Sequence, residues 1–264
     1  MKKIPKETQL QTANSLVRDF RKIGIEPGMT LMVHSSLSAI GWVLGGAPTV
    51  VETLLEVVGK EGTLVMTAAT PYCADPESWD DLDLPSAWLG KIRENLPVFD
   101  AKKTPTSLGA IPECFRTWPG TVRSYHPISS VCANGPSSRE ITKEHSLAFS
   151  EAGDTPYEKL YHLNASILLL GVGFNRCTAL HFAESQVTNR RTKQSRFPII
   201  EGGQRTWVEV QDMGNDNSTH FPIVGDKFVA AGNAKIGSIG QARSTLFEMK
   251  RLVSFGRNYF ENFL

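Results

Sequence analysis

The segment SILLLGVG, residues 166–173, limits the fold more than any other part of the chain. It is the most apolar stretch present, it contains a β-branched residue, and it ends on glycine, so it predicts a strand in the middle of a sheet. Sheets with such strands are covered by helices, and the amino-terminal half supplies the matching rhythm. Residues 7–24 place Leu10, Ala13, Leu16, Val17, Phe20 and Ile23 on one stripe, which predicts an amphipathic helix closed by Gly24. After a turn at Pro27-Gly28, TLMVH predicts a short buried strand ending at His34. A polar, glycine-bearing loop, HSSLSAIGWVLGGAP, follows. Pro48 then suits the first turn of a helix running to about Val58. TLVMTA predicts the next strand and completes a βαβ-like order.

From about residue 71 to 106 the pattern breaks. Pro, Asp and aromatic residues in PYCADPESWDDLDLPSAW interrupt any strand, and only SAWLGKIREN has helical spacing. This segment is expected to be an excursion from a single domain spanning 1–264. Further on, FPIIEGGQRTWVEV predicts a hairpin about Gly202-Gly203. TLFEMKRLVSFGRNYFENF has helical spacing through Leu246, Met249, Leu252 and Val253.

Charge excludes several function classes. With 28 Lys and Arg against 27 Asp and Glu, the formal charge of +1 argues against a nucleic-acid or membrane-surface partner. Cys73, Cys114, Cys132 and Cys177 form no CxxC pair, so reduced and mostly buried thiols are expected. MKKIPKETQLQ lacks an apolar core of a signal peptide, and no run has the roughly 18 apolar residues a membrane span needs. A cytoplasmic location is expected.

Candidate chemistry centres on CTALHFAESQVTNRR, residues 177–191, directly after the central strand. Asn175 or Thr178 can cap a helix, and Thr178, His181 and Glu184 then fall at i, i+3 spacing on one line. Ligands in open α/β sheets bind at the carboxyl ends of strands, which is where this line begins. A histidine removes protons near neutral pH, and a neighbouring carboxylate orients it. The competing reading is a helix whose polar residues satisfy one another. HxxE without a second histidine does not make the helical zinc motif.

Two further segments carry weaker signals. The HSSLSAIG loop offers hydroxyls and backbone N–H groups between strand and helix, where phosphates are often held, although a Ser-rich turn that only caps the next helix is the favoured reading of the loop alone. In TPTSLGAIPECFRTWPGTVRSYHPISSVCANG, Arg116 and Arg123 suit phosphate or a surface ion pair, and His126 suits a site or a structural hydrogen bond. Asp75, Glu77, Asp80, Asp81 and Asp83 form an acidic loop that would attract a cationic amine or simply aid solubility. A rival reading is a metal-dependent hydrolase using His34, His126, His181 and an aspartate.

Taken in order, VHSSLSAIGWVLGG, the segment from TPYCADPESWDD to SSVCANG, and ILLLGVGFNRCTALHFAE resemble the aminoglycoside 3-N-acetyltransferase family over about residues 5–260. The resemblance implies a three-layer α/β/α fold with a central mixed sheet and the long excursion over the active site. It also implies acetyl-coenzyme A as donor co-substrate, a small-molecule amine as acceptor, and no metal, with a coenzyme A-binding protein without transfer as the rival within this reading. His181 then corresponds to the catalytic histidine, with Glu184 and Thr178 in the same motif. His34, Ser35, Ser36, Leu37, Ser107, Leu108, Gly109, Arg123 and His126 correspond to donor-binding positions. Asp75, Asp80, Asp81, Glu184 and His220 are the acceptor-side candidates, Glu184 being either an orienter of His181 or an acceptor contact. The chain departs from the family pattern at VMTAATPYC and at His220, both where the acceptor is chosen. The sequence leaves a homo-oligomer open.

Overall fold

The computed structural model describes residues 7–80, 82–214 and 219–264. Its strands are β1 (Leu10–Gln11), β2 (Thr30–Ser35), β3 (Trp42–Val43), β4 (Thr63–Thr67), β5 (Val122–Arg123), β6 (Val131–Asn134), β7 (Ser166–Leu170), β8 (Thr192–Glu201), β9 (Gln204–Met213), β10 (Lys235–Ile239) and β11 (Ala242–Glu248). The helices are α1 (Ala13–Ile23), α2 (Leu37–Ile40), α3 (Ala47–Val58), α4 (Leu89–Asn95), α5 (Ala110–Arg116), α6 (Ser138–Thr142), α7 (Pro156–His162), α8 (Ala179–Ser185), α9 (His220–Ala230) and α10 (Met249–Phe263).

A mixed sheet of 7 strands runs in the order β10-β11-β7-β2-β4-β6-β5. β7, β2 and β4 are parallel, while β11, β10, β6 and β5 join antiparallel at the two sides. The period of 2 sends neighbouring residues into opposite cores. Leu31, Val33, Leu64, Met66, Leu168 and Leu170 face α1, α3 and α5, whereas Met32, Val65, Ile167 and Leu169 face the layer containing α7, α8, α9 and α10. Both faces are therefore apolar, as the three-layer expectation requires.

Three elements differ from the sequence reading. α1 begins at Ala13 because Leu10–Gln11 pairs with Trp42–Val43, and Thr12 closes a capping box with Ser15; Gly24, at φ 110°, ends the helix as expected. Leu246 belongs to a strand: β11 pairs with β7, Leu246 and Phe247 face opposite cores, and the helix starts only at Met249. α9 has no counterpart in the sequence reading. Its Pro222 and Gly225 break the usual helical signature, but a Cβ at Gly225 would lie 2.1 Å from the Phe174 ring, so close packing explains the glycine.

The excursion consists of short 3-10 turns and α4, and it leans on the β8–β9 hairpin. Arg205 Nη2 donates to the carbonyls of Arg93 and Leu96, and the Asp75 N–H donates to the Arg196 carbonyl at 2.7 Å. Among the described residues, no helix is long and apolar enough to cross a membrane.

Candidate active site

The three parallel strands end at a common edge, and a cleft of about 1000 Å³ opens there. Val33, His34 and Ser35 come from the end of β2, Thr67 and Ala69 from the end of β4, and Val172 from just past β7. Ser36, Leu37 and Ser38 add to the lining, as do Ser107, Leu108 and Gly109. Two loops far apart in sequence thus meet over the strand ends, the position where open α/β sheets bind ligands.

The first loop is held against the sheet by an N–H donation from Ser36 to the Leu170 carbonyl at 2.9 Å. Its close approach needs Gly171, where a Cβ would stand 2.5 Å from that of Ala39. The second loop is fixed by donation from the Ser107 N–H and the Thr106 hydroxyl to the Ala69 carbonyl. His34 is only 7% exposed, and its Nε2 has no partner among the described residues. Burial pushes its pKa down to about 4, so the ring is neutral at physiological pH. Ser35 Oγ is likewise buried without a partner.

Beyond β7, a single 3-10 turn at Phe174–Arg176 leads into α8. Thr178 occupies the position before the helix and lines the cleft, but its side chain makes no cap; it is hydrogen-bonded with the buried Tyr157 hydroxyl instead. His181 lies one turn further on, packed edge-to-face with Phe221 at 4.8 Å between ring centres. Its Nδ1 is buried at 3.7 Å from Glu184 Oε2, beyond hydrogen-bond reach, and has no hydrogen-bond partner among the described residues. Glu184 is fully buried and is clamped by Arg191, with Nε at 2.7 Å from Oε1 and Nη2 at 3.1 Å from Oε2. Burial would raise the Glu184 pKa, but the His181 and Arg191 interactions outweigh it and hold the carboxyl below its ordinary value.

Several expected site residues have other employment. Glu184 faces Arg191 and His181 and does not line the cleft. Arg123 donates to the carbonyls of Thr104 and Ala68 and to Ser130 Oγ, and its guanidinium stacks over Phe99; it pins the excursion to the sheet. His126 Nδ1 accepts from the N–H groups of Ile128 and Ser129, so Nε2 carries the proton and donates to the Leu147 carbonyl. Asp75 is buried between Arg93 at 2.8 Å and Arg196 at 3.2 Å, where it ties the excursion to β8. Asp80 is exposed and does not line the cleft, His220 meets Tyr259, and Asp81 lies outside the described residues. Arg116 pairs with Glu113.

The cleft contains residues that local sequence patterns do not reveal. Glu151 lines it, and Ser150 Oγ bridges Glu151 to Asp212 of β9 at 2.8 and 3.1 Å. Tyr157 and Arg176 also line it. No spacing links these positions; only the tertiary fold brings them together. The four cysteines are free thiols, and burial pushes Cys177 up to about 12. Among the described residues, no three His, Cys, Asp or Glu side chains are arranged to hold a metal ion, so the ligand set of a metal-dependent hydrolase is not assembled.

A covered mixed sheet with a deep cleft at its parallel strand ends and a histidine-carboxylate pair beside it defines an α/β enzyme for a small-molecule substrate. Comparison with known proteins makes this specific: the chain belongs to the aminoglycoside 3-N-acetyltransferase family, whose model matches residues 32–261. It is 37% identical to the SPbeta prophage-derived aminoglycoside N(3')-acetyltransferase-like protein YokD of Bacillus subtilis (strain 168), over 99% of this chain and 97% of that protein. The crystal structure of YokD superposes with a TM-score of 0.94, covering 98% of this chain and 97% of that one. Aminoglycoside N(3)-acetyltransferase IX of Micromonospora chalcea is 31% identical over 95% of this chain and 93% of its own. The structure of AAC-IIIb in a binary complex with CoASH has a TM-score of 0.83 at 28% identity, covering 96% of this chain and 97% of that one.

Proposed function

We propose that the protein transfers acetyl from acetyl-coenzyme A to an amino group of an aminoglycoside or a similar polyamine, by direct attack and with His181 as general base. The observation that carries this reading is the His181–Glu184–Arg191 chain beside a cleft walled by both predicted donor loops. Unpartnered buried polar atoms cost about 1–3 kcal/mol each, and His34 Nε2, Ser35 Oγ and His181 Nδ1 are three of them. A bound substrate supplies the missing partners for the two that line the cleft.

Acetyl-coenzyme A brings an activated thioester. The chain's own residues do the rest. Ser35 to Leu37 and Ser107 to Gly109 hold the donor between them, and Arg176 offers the guanidinium in the cleft lining for its phosphates. Glu184, fixed by Arg191, draws the Nδ1 proton of His181 toward itself and leaves the Nε2 lone pair for the acceptor. His181 takes the proton from the acceptor nitrogen as that nitrogen bonds to the carbonyl carbon and coenzyme A departs as thiolate. The neutral His34 ring and loop N–H groups oppose the charge developing on the carbonyl oxygen. The relative solved with CoASH supports the donor, and the names of the curated relatives support the acceptor class.

The test is thiol release from acetyl-coenzyme A against a panel of aminoglycosides and linear polyamines, with product regiochemistry read by NMR. Turnover with at least one aminoglycoside is expected. No turnover with any amine, in a protein that still binds coenzyme A, contradicts the reading.

A further inference from the structure

Among the described residues, the cleft lining holds a single carboxylate side chain, Glu151, and a single guanidinium, Arg176. Glu151 is 9% exposed. Behind it stands a second acid, Asp212. The two share the Ser150 hydroxyl, whose oxygen lies 2.8 Å from Glu151 Oε2, 3.1 Å from Asp212 Oδ1 and 3.0 Å from Ser129 Oγ. One hydroxyl has one proton to give, so it cannot serve both acids. Asp212 has other donors, the N–H groups of Ser150 and Met213 at 2.9 Å and the more distant Ser195 hydroxyl. Glu151 is met by the uncharged Ser150 and Ser129 hydroxyls, and of the two acids it is the one at the cleft. The buried, unpartnered Nε2 of His34 lines this same cleft, which marks the space as built for a polar ligand.

We propose that Glu151, backed by Asp212, seats an ammonium group of the acceptor and thereby selects polycationic amines. This rests on the acetyl-transfer reading for the identity of the acceptor. It also accounts for the acidic excursion lying elsewhere: the acceptor's charge is met in the cleft by a residue delivered from the loop before α7. Burial first, and the Asp212 charge second, push the Glu151 pKa up, while His181 and the Ser150 and Ser129 hydroxyls oppose them. Tyr157 of α7 faces it as well, and His145 reaches the Ser150 carbonyl beside it. In the empty enzyme Glu151 therefore keeps its proton to higher pH than an ordinary glutamate. An arriving ammonium forms an ion pair with the carboxylate, and any proton the carboxyl still carries is displaced to the buffer.

The experiment is calorimetric titration of the full chain with kanamycin A, putrescine and coenzyme A, in two buffers of different ionisation heat, for wild type and Glu151→Gln. Gln keeps a hydrogen-bonding group for Ser150 and removes the charge. The variant should bind kanamycin A and putrescine at least about tenfold more weakly, bind coenzyme A within about twofold of wild type, and release less proton on amine binding. Should the Gln variant fail to melt cooperatively, Glu151→Asp, which keeps the charge but shortens its reach, carries the same test with a smaller loss. Amine affinity and proton release equal to wild type overturn the proposal even where turnover is intact. A Glu151-dependent amine affinity in an enzyme that acetylates nothing supports the subsite and overturns the transfer reading alone.

Discussion

Glu184 is held at both ends: Oε1 accepts from Arg191 Nε at 2.7 Å, and Oε2 faces His181 Nδ1 at 3.7 Å. Arg191 therefore sets the distance between the carboxylate and the proposed base. Glu184→Gln should lower kcat by about 10²-fold with little change in the KM for acetyl-coenzyme A, since it weakens the support of the base and leaves the donor loops intact. Steady-state kinetics check this. A kcat equal to wild type would leave the pair a structural clamp.

The same clamp predicts a pH-dependent stability. Arg191→Met leaves a fully buried carboxylate without its ion pair and should cost on the order of 3 kcal/mol near neutral pH. The folded pKa of Glu184 is lowered, so its contribution is complete above the unfolded value of about 4.3 and disappears as pH falls through the folded value. Denaturant melts should show the gap between wild type and variant at pH 7 and its closing in acid below that window. A gap independent of pH would mean that Arg191 acts through packing alone.

Gly171→Ala tests the seating of the first donor loop. The residue has φ 68°, and a new Cβ would meet the Cβ atoms of Ala39 at 2.5 Å and Ala242 at 3.1 Å. Both the strained backbone and the contact push the loop off the end of β7, so coenzyme A affinity should fall by about tenfold or more, with a stability loss of about 1–3 kcal/mol. Calorimetry and thermal melts report the two effects separately.

Much of this arrangement was legible in the sequence, because strands and the helix of the proposed base are written locally. SILLL, TLMVH and TLVMT alternate between two apolar faces, and Thr178, His181 and Glu184 fall on one line after the central strand. What escaped depends on partners remote in the chain. Asp75 reads as a free acid in an acidic loop until Arg93 and Arg196 are folded onto it, and Arg123 reads as an anion site until three carbonyls take its donors. Leu246 fits a helical stripe and a strand equally, and pairing with β7 decides between them. Glu151 lies in a loop with no pattern, and its meaning comes from Asp212 on a distant hairpin.

Those tertiary assignments give the acidic excursion a structural role. Asp75→Ala should lower the melting temperature while leaving the acceptor KM within about twofold, and Asp80→Asn should change neither, because Asp80 is exposed and away from the cleft. An increase in acceptor KM with Asp80→Asn would return acceptor recruitment to this loop.

Cys177 precedes the Thr178–His181–Glu184 line and invites a covalent mechanism. It is fully buried and its thiol is pushed up to about 12, which leaves almost no thiolate at neutral pH. Cys177→Ala should retain turnover within about threefold, and mass spectrometry of the enzyme mixed with acetyl-coenzyme A should find no acetyl group on this residue.

The most direct measurement is thiol release by His181→Ala, paired with coenzyme A affinity on the same preparation. His181 packs against Phe221 beside the cleft and outside both donor loops, so the variant should bind coenzyme A within about twofold of wild type and lose about 10²-fold or more in kcat. Turnover at the wild-type rate with coenzyme A binding intact would remove His181 from the chemistry and contradict the mechanism at its centre.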